Sequence, residues 1–453
     1  MRMQNHVLMS KGKVFGMGCL VLLGLTSLLV GCSSSDNKEE TLNIAIVNNA
    51  DLVRLKSLSS VFETEHPNIK LRWLTLEENM LRQRITVDTA VKSGQFDVIS
   101  VGSYEVPMWS RQGWLTQINN PTILKQSNDY FDSIKKIVSY QDHLYTVPFY
   151  GEGVFTIYRK DLMEKAGIKM PEYPSWTFIE NTAKRLNDPS AGVYGLCMRG
   201  KAGWGENVSL LTAMANSFGA RLFDEGWHPE FNTPEWQKTL TTYVRLLQNY
   251  GPPGSSVNGF SENLALFSAG KCAMWIDSTV AGSFVTNAKT SAVSQKTAFA
   301  FAPNAGLGKS ANWLFSWGLA VPAGSRKSET AQEFIAWASS PEYRKLVAKK
   351  YGWASVPPGT SKSLYADPQY QKEVPFSKAT LMAIEAADPI HPTLKPVPYT
   401  GIQFATIPEF QGIGSQLGRH FAAALVGTET PKEALALSQI NAEREMTDAG
   451  YIK

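Results

Sequence analysis

Between residues 42 and 101 the chain alternates short apolar runs with helix-spaced segments, and this alternation restricts the fold more than any other feature. Residues 42–47 read as a strand, and Asn48-Asn49-Ala50-Asp51 follows as a polar turn able to cap a helix. Leu52, Leu55, Leu58 and Phe62 then hold one helical face up to a stop at His66-Pro67. A second strand is predicted over 69–74, a second helix over 77–91, and a third strand over 96–101 that ends at Gly102. Strands separated by helices imply an α/β layer with a parallel sheet. In such sheets ligands sit beyond the carboxyl ends of the strands. Asn49 and Asp51 in the first turn, and residues 102–105, are therefore candidate site positions.

The pattern restarts after residue 151. Strands are expected over 154–158 and 272–276, the latter ending at Asp277, and over 312–321, stopped by Pro322. Residues 192–198 are also strand-like. Residues 160–166 and 176–186 read as helices; Ala331, Phe334, Ile335 and Ala338 mark one face of another, and 408–450 is predominantly helical. Internal repeats are absent from the sequence.

The first 31 residues read as a processing signal. Arg2, Lys11 and Lys13 precede an apolar stretch over 14–30 that is too short, and too soon followed by polar residues, for a convincing membrane span. Leu29-Val30-Gly31-Cys32 resembles the bacterial lipobox, which implies a lipid on Cys32; cleavage as an ordinary secretory peptide is the alternative. Residues 32–40 then form a flexible polar tether. The expected location is the cell envelope, on the periplasmic face of a membrane or on the surface of a monoderm cell. The signal carries three of the 44 basic residues and none of the 40 acidic ones, so the remaining chain balances at +1, which argues against a nucleic-acid binder. Of the four cysteines, Cys197 and Cys272 are left as an even pair in an oxidising setting. That favours a disulfide over two buried thiols.

Enzymatic signatures fail one after another. Gly306-Leu307-Gly308-Lys309-Ser310 imitates the end of a phosphate loop, but Pro303 stands where its first glycine is required. No G-x-S-x-G elbow occurs, and the histidines are scattered without metal-ligand spacing. Glu77 and Glu78 are adjacent, so on a helix they point about 100° apart, a poor match for two facing catalytic acids. What survives is an aromatic and polar set: Tyr104, Tyr150, Trp204, Trp275, Trp317 and Trp353 near strand ends or in Gly-rich loops, with Asp51, Glu105, Glu152, Arg199, Glu206, Asn207 and Asp277 close by in sequence. Rings that cover C–H surface, beside groups that bond hydroxyls, suit a small polar ligand in a cleft.

Several segments also carry a family resemblance: Val47-Asn48-Asn49, Thr75-Leu76-Glu77-Glu78-Asn79, Leu81-Arg82-Gln83-Arg84, Pro148-Phe149-Tyr150-Gly151-Glu152, Arg199-Gly200-Lys201-Ala202-Gly203-Trp204-Gly205-Glu206-Asn207, Lys271-Cys272-Ala273-Met274-Trp275-Ile276-Asp277 and Gly352-Trp353-Ala354. From residue 43 to 453 the chain resembles the family 1 extracellular solute-binding proteins of sugar ABC importers, and within them the sorbitol/mannitol-binding group. The resemblance implies an α/β, two-lobed, maltose-binding-protein-like fold with a hinge and an interlobe cleft. Its chain passages are expected near 148–151, 276–280 and 319–323, giving lobe one as 41–148 plus 278–320 and lobe two as 149–277 plus 321–453. It implies a non-enzymatic, monomeric receptor without cofactor or metal that hands a polyol or related sugar to a membrane permease and its cytoplasmic ATPase. The implied ligand set is Asn49, Asp51, Glu78, Tyr104, Tyr150, Glu152, Arg199, Trp204, Trp275, Asp277, Trp317 and Trp353. A surface-anchored carbohydrate-active hydrolase, or a ligand-binding partner of a chemoreceptor, are the readings from other classes.

Overall fold

The structure, a computed structural model, describes residues 39–453; the signal segment and Cys32 lie outside the described residues. Strand β1 (Glu40–Val47) leads to Asn49, whose side chain accepts a hydrogen bond from the Leu52 amide and so opens helix α1 (Ala50–Glu65). Strand β2 (Ile69–Leu76) pairs with β1 in parallel from Glu40 opposite Ile69 to Val47 opposite Leu76. Helix α2 (Glu78–Ala90), strand β3 (Val98–Gly102) and helix α3 (Glu105–Arg111) follow, with β3 parallel to β1 on its other edge.

Strands β4 (Val147–Glu152) and β5 (Val154–Arg159) are separated by Gly153 alone, yet they belong to different sheets. Helix α4 (Phe260–Ser268) precedes strands β6 (Met274–Ser278), β7 (Thr297–Phe301) and β8 (Phe315–Ala320). The first sheet runs β2-β1-β3-β8-β4 and the second β6-β5-β7. The second is antiparallel throughout, and β8 is antiparallel to both β3 and β4. The expected parallel sheet is thus confined to β2, β1 and β3, because β8 returns from the second sheet and must run against its neighbours. One consequence is functional. The carboxyl ends of β1, β2, β3 and β4 all point toward the second lobe.

Residues 192–198 form no strand; they make isolated parallel bridges, Tyr194 to Cys272 and Cys197 to Trp275. The expected lobe boundaries also shift. Residues 278–320 divide, because β7 hydrogen-bonds to β5 in the second sheet and only β8 joins the first. Residues 321–453 divide as well. Helix α5 (Ser328–Ala338) buries Phe334 against Phe62 of α1, with ring centroids 5.2 Å apart. Helices α6 (Phe410–Val426) and α7 (Pro431–Asp448) pack instead on helix Pro234–Tyr250, where Trp236 stacks on Phe421 at 5.9 Å.

The chain therefore passes between sheets at Gly153 and again over 302–314, not at 276–280 or 319–323. Helix Ser377–Glu385 lies against β4, β5 and β7 and so touches both sheets. These segments meet at one point. The Asn312 side chain accepts from the Val154 amide at 2.8 Å and donates to the Ala383 carbonyl at 2.7 Å. A Cβ on Gly153 would come within 2.7 Å of the Ala383 Cβ and 2.8 Å of Asn312 Oδ1, so the crossing requires glycine.

Candidate functional site

The ends of β1, β2 and β4 face a cleft of about 1300 Å³, closed on the other side by residues 199–209, α4 and α6. Arg199 forms its floor. Its position follows from the bridge between Cys197 and Trp275 and from the Cys197–Cys272 disulfide, which tie residues 194–197 to the edge of β6. Tyr243 adds a hydrogen bond of 2.7 Å to the Arg199 carbonyl. The guanidinium grips Asp277 at the end of β6 and donates a 2.8 Å bond to the Gly205 carbonyl; Glu206 lies 3.6 Å away. Burial alone would drive Arg199 toward neutrality, but the charges of Asp277 and Glu206 outweigh it and hold its pKa above the ordinary value.

Asp277 is fully buried and also accepts from Trp275 Nε1 at 3.1 Å and the Ser278 amide at 2.7 Å. Next to it, Ser278 Oγ donates to Glu152 across the Gly153 crossing at 2.7 Å. Burial pushes Glu152 up to about 7, even though the Ser278 hydrogen bond and Arg199 pull the other way; the negative charges of Asp277 and Glu78 add to the rise. Glu206 is likewise raised, first by burial, with Arg199 and Lys201 opposing. The floor is thus a cluster of carboxyl groups around one permanent cation.

The first lobe supplies the opposite wall. Asn49 caps α1 and donates to the Tyr150 hydroxyl at 3.2 Å, and buried Asp51 is paired with Arg54 at 2.6 Å. Tyr150 stands opposite Trp317 in the β4–β8 ladder, and burial holds its phenol far above its ordinary pKa. Arg82 donates to Glu78 Oε1 through Nε at 3.1 Å and Nη2 at 2.9 Å, and is ion-paired with buried Glu105. Its guanidinium lies over Trp204 at 4.8 Å and over Trp317 at 5.0 Å. Trp204 is held in place because residue 203 packs hard on α6: a Cβ on Gly418 would come within 2.6 Å of the Gly203 nitrogen.

Of the residues expected from the sequence, Asn49, Asp51, Glu78, Tyr150, Glu152, Arg199, Trp204 and Trp317 line this cleft. Tyr104 stands behind Trp204, with ring centroids 5.0 Å apart, and bonds the Ile407 carbonyl at 2.6 Å. Trp275 and Asp277 lie behind Arg199, both fully buried. Trp353 is not in the cleft wall and packs toward Tyr370 at 6.3 Å. Arg82, Phe260, Ser278, Trp313, Phe315 and Gln403 are among the lining residues that were not expected there. For Arg82 a signal existed: it follows Glu78 by four residues and so shares its helix face.

The model of the bacterial extracellular solute-binding proteins matches residues 45–345. The chain belongs to that family. This solute-binding protein is 52% identical over 414 residues to the mannitol-binding protein of Pseudomonas aeruginosa, covering 91% of this chain and 95% of the relative. It is also similar to an ABC transporter solute-binding protein from Agrobacterium vitis S4, solved with bound D-mannitol. The TM-score is 0.87 and the identity 55%, over 91% of this chain and all of that one (100%). A solute-binding protein from Agrobacterium radiobacter K84, in complex with ribitol, shares the fold at a TM-score of 0.79 and 23% identity, over 90% and 99% of the two chains.

Proposed function

We propose that this solute-binding protein captures an uncharged sugar alcohol of the mannitol/sorbitol class between its lobes and delivers it to the permease of an ABC importer. The observation that carries the reading is the floor of the cleft. Arg199 is already neutralised by Asp277 and faced by Glu152 and Glu206, so at the buried floor an anionic ligand would meet carboxyl groups and a cation that is already paired, the other cations of the second lobe's wall, Lys201 and Arg419, being exposed. Hydroxyls suit the same floor because each can donate to a carboxylate and accept from a guanidinium N–H. The mannitol-binding relative and the mannitol-bound structure, each more than half identical to this chain, favour a hexitol within that class.

Capture follows from the crossing. Gly153, residues 302–314 and helix Ser377–Glu385 meet around Asn312, and bending there closes the second lobe over a ligand bound on the first. In this reading the protein is exported, held to the envelope by a lipid on Cys32, and performs no chemistry on its ligand. Isothermal titration against mannitol, sorbitol, arabitol, ribitol and a panel of monosaccharides and disaccharides tests it. Heat and a thermal shift with at least one hexitol are expected. Binding of a peptide or an anion, with silence toward every polyol, would overturn the proposal.

A further inference from the structure

Four of the eight aromatic rings that line the cleft, among them all three of its tryptophans, are each overlaid by a guanidinium. Arg82 lies between Trp204 and Trp317, at 4.8 and 5.0 Å from their ring centroids; Arg199 lies 5.4 Å from both Phe260 and Trp313. Neither arginine is free to leave. Arg199 is forked on Asp277 and bonded to the Gly205 carbonyl, and Arg82 is bonded twice to Glu78 and ion-paired with Glu105. Both are nearly buried, so each cation–π contact is largely desolvated and correspondingly strong.

Aromatic faces are the platform on which a ring-form sugar lays its C–H surface. Here Trp204 and Trp317 give that surface to Arg82. What a ligand meets instead is the hydrogen-bonding edge of a planar cation and the carboxyl groups beside it. An open-chain polyol has no flat apolar face to place, and its freely rotating hydroxyls can follow those edges. Arg82 is the more telling of the two arginines. It reaches from α2 in the first lobe to Trp204 beside α6 in the second, and so spans the cleft between them.

We infer that Arg82 is a specificity determinant: by capping Trp204 and Trp317 it denies pyranose rings the stacking faces of these two tryptophans and so favours open-chain polyols. The inference rests on the polyol reading above and adds the residue and the contact that disfavour rings.

The test compares D-mannitol with methyl α-D-glucopyranoside, whose aglycone locks the ring, by titration calorimetry on the full chain. Arg82→Lys keeps the charge but lacks the flat plate; Arg82→Ala combined with Glu105→Gln removes the cap without leaving a buried carboxylate unpaired. In both variants the ratio of the two affinities should narrow by at least about tenfold, with the glucoside itself binding more tightly than to the wild type. Thermal unfolding reports whether each variant is folded, and Arg82→Lys decides the matter alone if the double variant is not. Glucoside affinity that stays at the wild-type level while mannitol affinity falls would reduce Arg82 to an ordinary hydroxyl donor and overturn the inference. A lysine variant that keeps the wild-type ratio would do the same. A wild type silent to every polyol overturns the functional reading instead, so the two failures are told apart.

Discussion

Arg199 holds Asp277 with a fork of three hydrogen bonds: Nε lies 3.0 and 3.1 Å from the two carboxylate oxygens and Nη2 lies 2.7 Å from one of them. Both side chains are buried, and the aspartate has further donors in Trp275 Nε1 and the Ser278 amide. The charged pair is therefore a finished internal unit. Asp277 lies behind Arg199 and fixes its orientation, so in the proposed site it would act on a ligand through Arg199.

Removing one member should be costly. Asp277→Ala leaves the Arg199 cation buried with Glu206 as its nearest remaining anion at 3.6 Å. Breaking a buried pair in this way costs about 3–5 kcal/mol. Urea unfolding should show a loss of that order, accompanied by weakened polyol binding. A loss below about 1 kcal/mol would mean that water reaches the pair and that burial does not govern it.

Glu152 sets a pH dependence whose sign is fixed by its raised pKa. The folded-state value is about 7 against an ordinary 4.5, so between those values the folded chain holds a proton that the unfolded chain has released. The stabilisation is fully present below pH 4.5 and is lost as the pH rises through about 7. Glu206, raised in the same direction, adds to the trend. Unfolding free energies measured from pH 5 to 8 should fall over this window. Glu152→Gln should flatten the slope; an equal slope in that variant would assign the effect elsewhere.

What the sequence made legible is local chemistry. The Asn49 cap, the stop at His66-Pro67 and the strand ending at Asp277 all depend on residues within a few positions of one another. The pairing of Arg199 with Asp277 spans 78 residues and needed the bridge between Cys197 and Trp275 to bring them together. Trp275 read as a wall aromatic because it stands near a strand end. It lies two residues before Asp277, so the two share a strand face, and Arg199 covers that face from the cleft side. Arg82 was hidden for the opposite reason. A basic residue on a helix reads as solvated until Glu105 and two tryptophans, all distant in sequence, enclose it. The lobe boundaries slipped because β7 and β8 are close in sequence yet join different sheets, a choice no local pattern encodes.

Two glycines of α6 should respond oppositely to alanine. Gly412 faces open space, so Gly412→Ala should gain up to about 1 kcal/mol of helix propensity. Gly418→Ala puts a Cβ 2.6 Å from the Gly203 nitrogen and beside the Asn207 side chain that bonds the Gly418 carbonyl at 2.9 Å. Overpacking of this kind costs about 1–3 kcal/mol. Because residue 203 carries Trp204 into the cleft, polyol affinity should fall with stability in Gly418→Ala alone. Thermal midpoints and titrations of both variants check this, and a Gly418→Ala protein with wild-type affinity would show that the 203–204 segment can shift without disturbing the site.

The Cys197–Cys272 disulfide should matter more for stability than for affinity. It closes a loop of 75 residues, for which chain-entropy estimates give about 4–5 kcal/mol as an upper figure. Arg199 of the proposed site lies beyond it and is tied down independently by Asp277 and Tyr243, as is the 194–197 segment by its backbone bridges, one of them to β6. Cys197→Ser combined with Cys272→Ser should therefore unfold at markedly lower urea while its polyol affinity falls by less than about tenfold, the equivalent of 1.4 kcal/mol. Reduction of the wild-type protein should reproduce the double variant, and alkylation with mass spectrometry would confirm that two thiols have been released. Equal urea midpoints for the oxidised and reduced protein would show that the bridges and the core, not the covalent bond, hold this edge of the cleft.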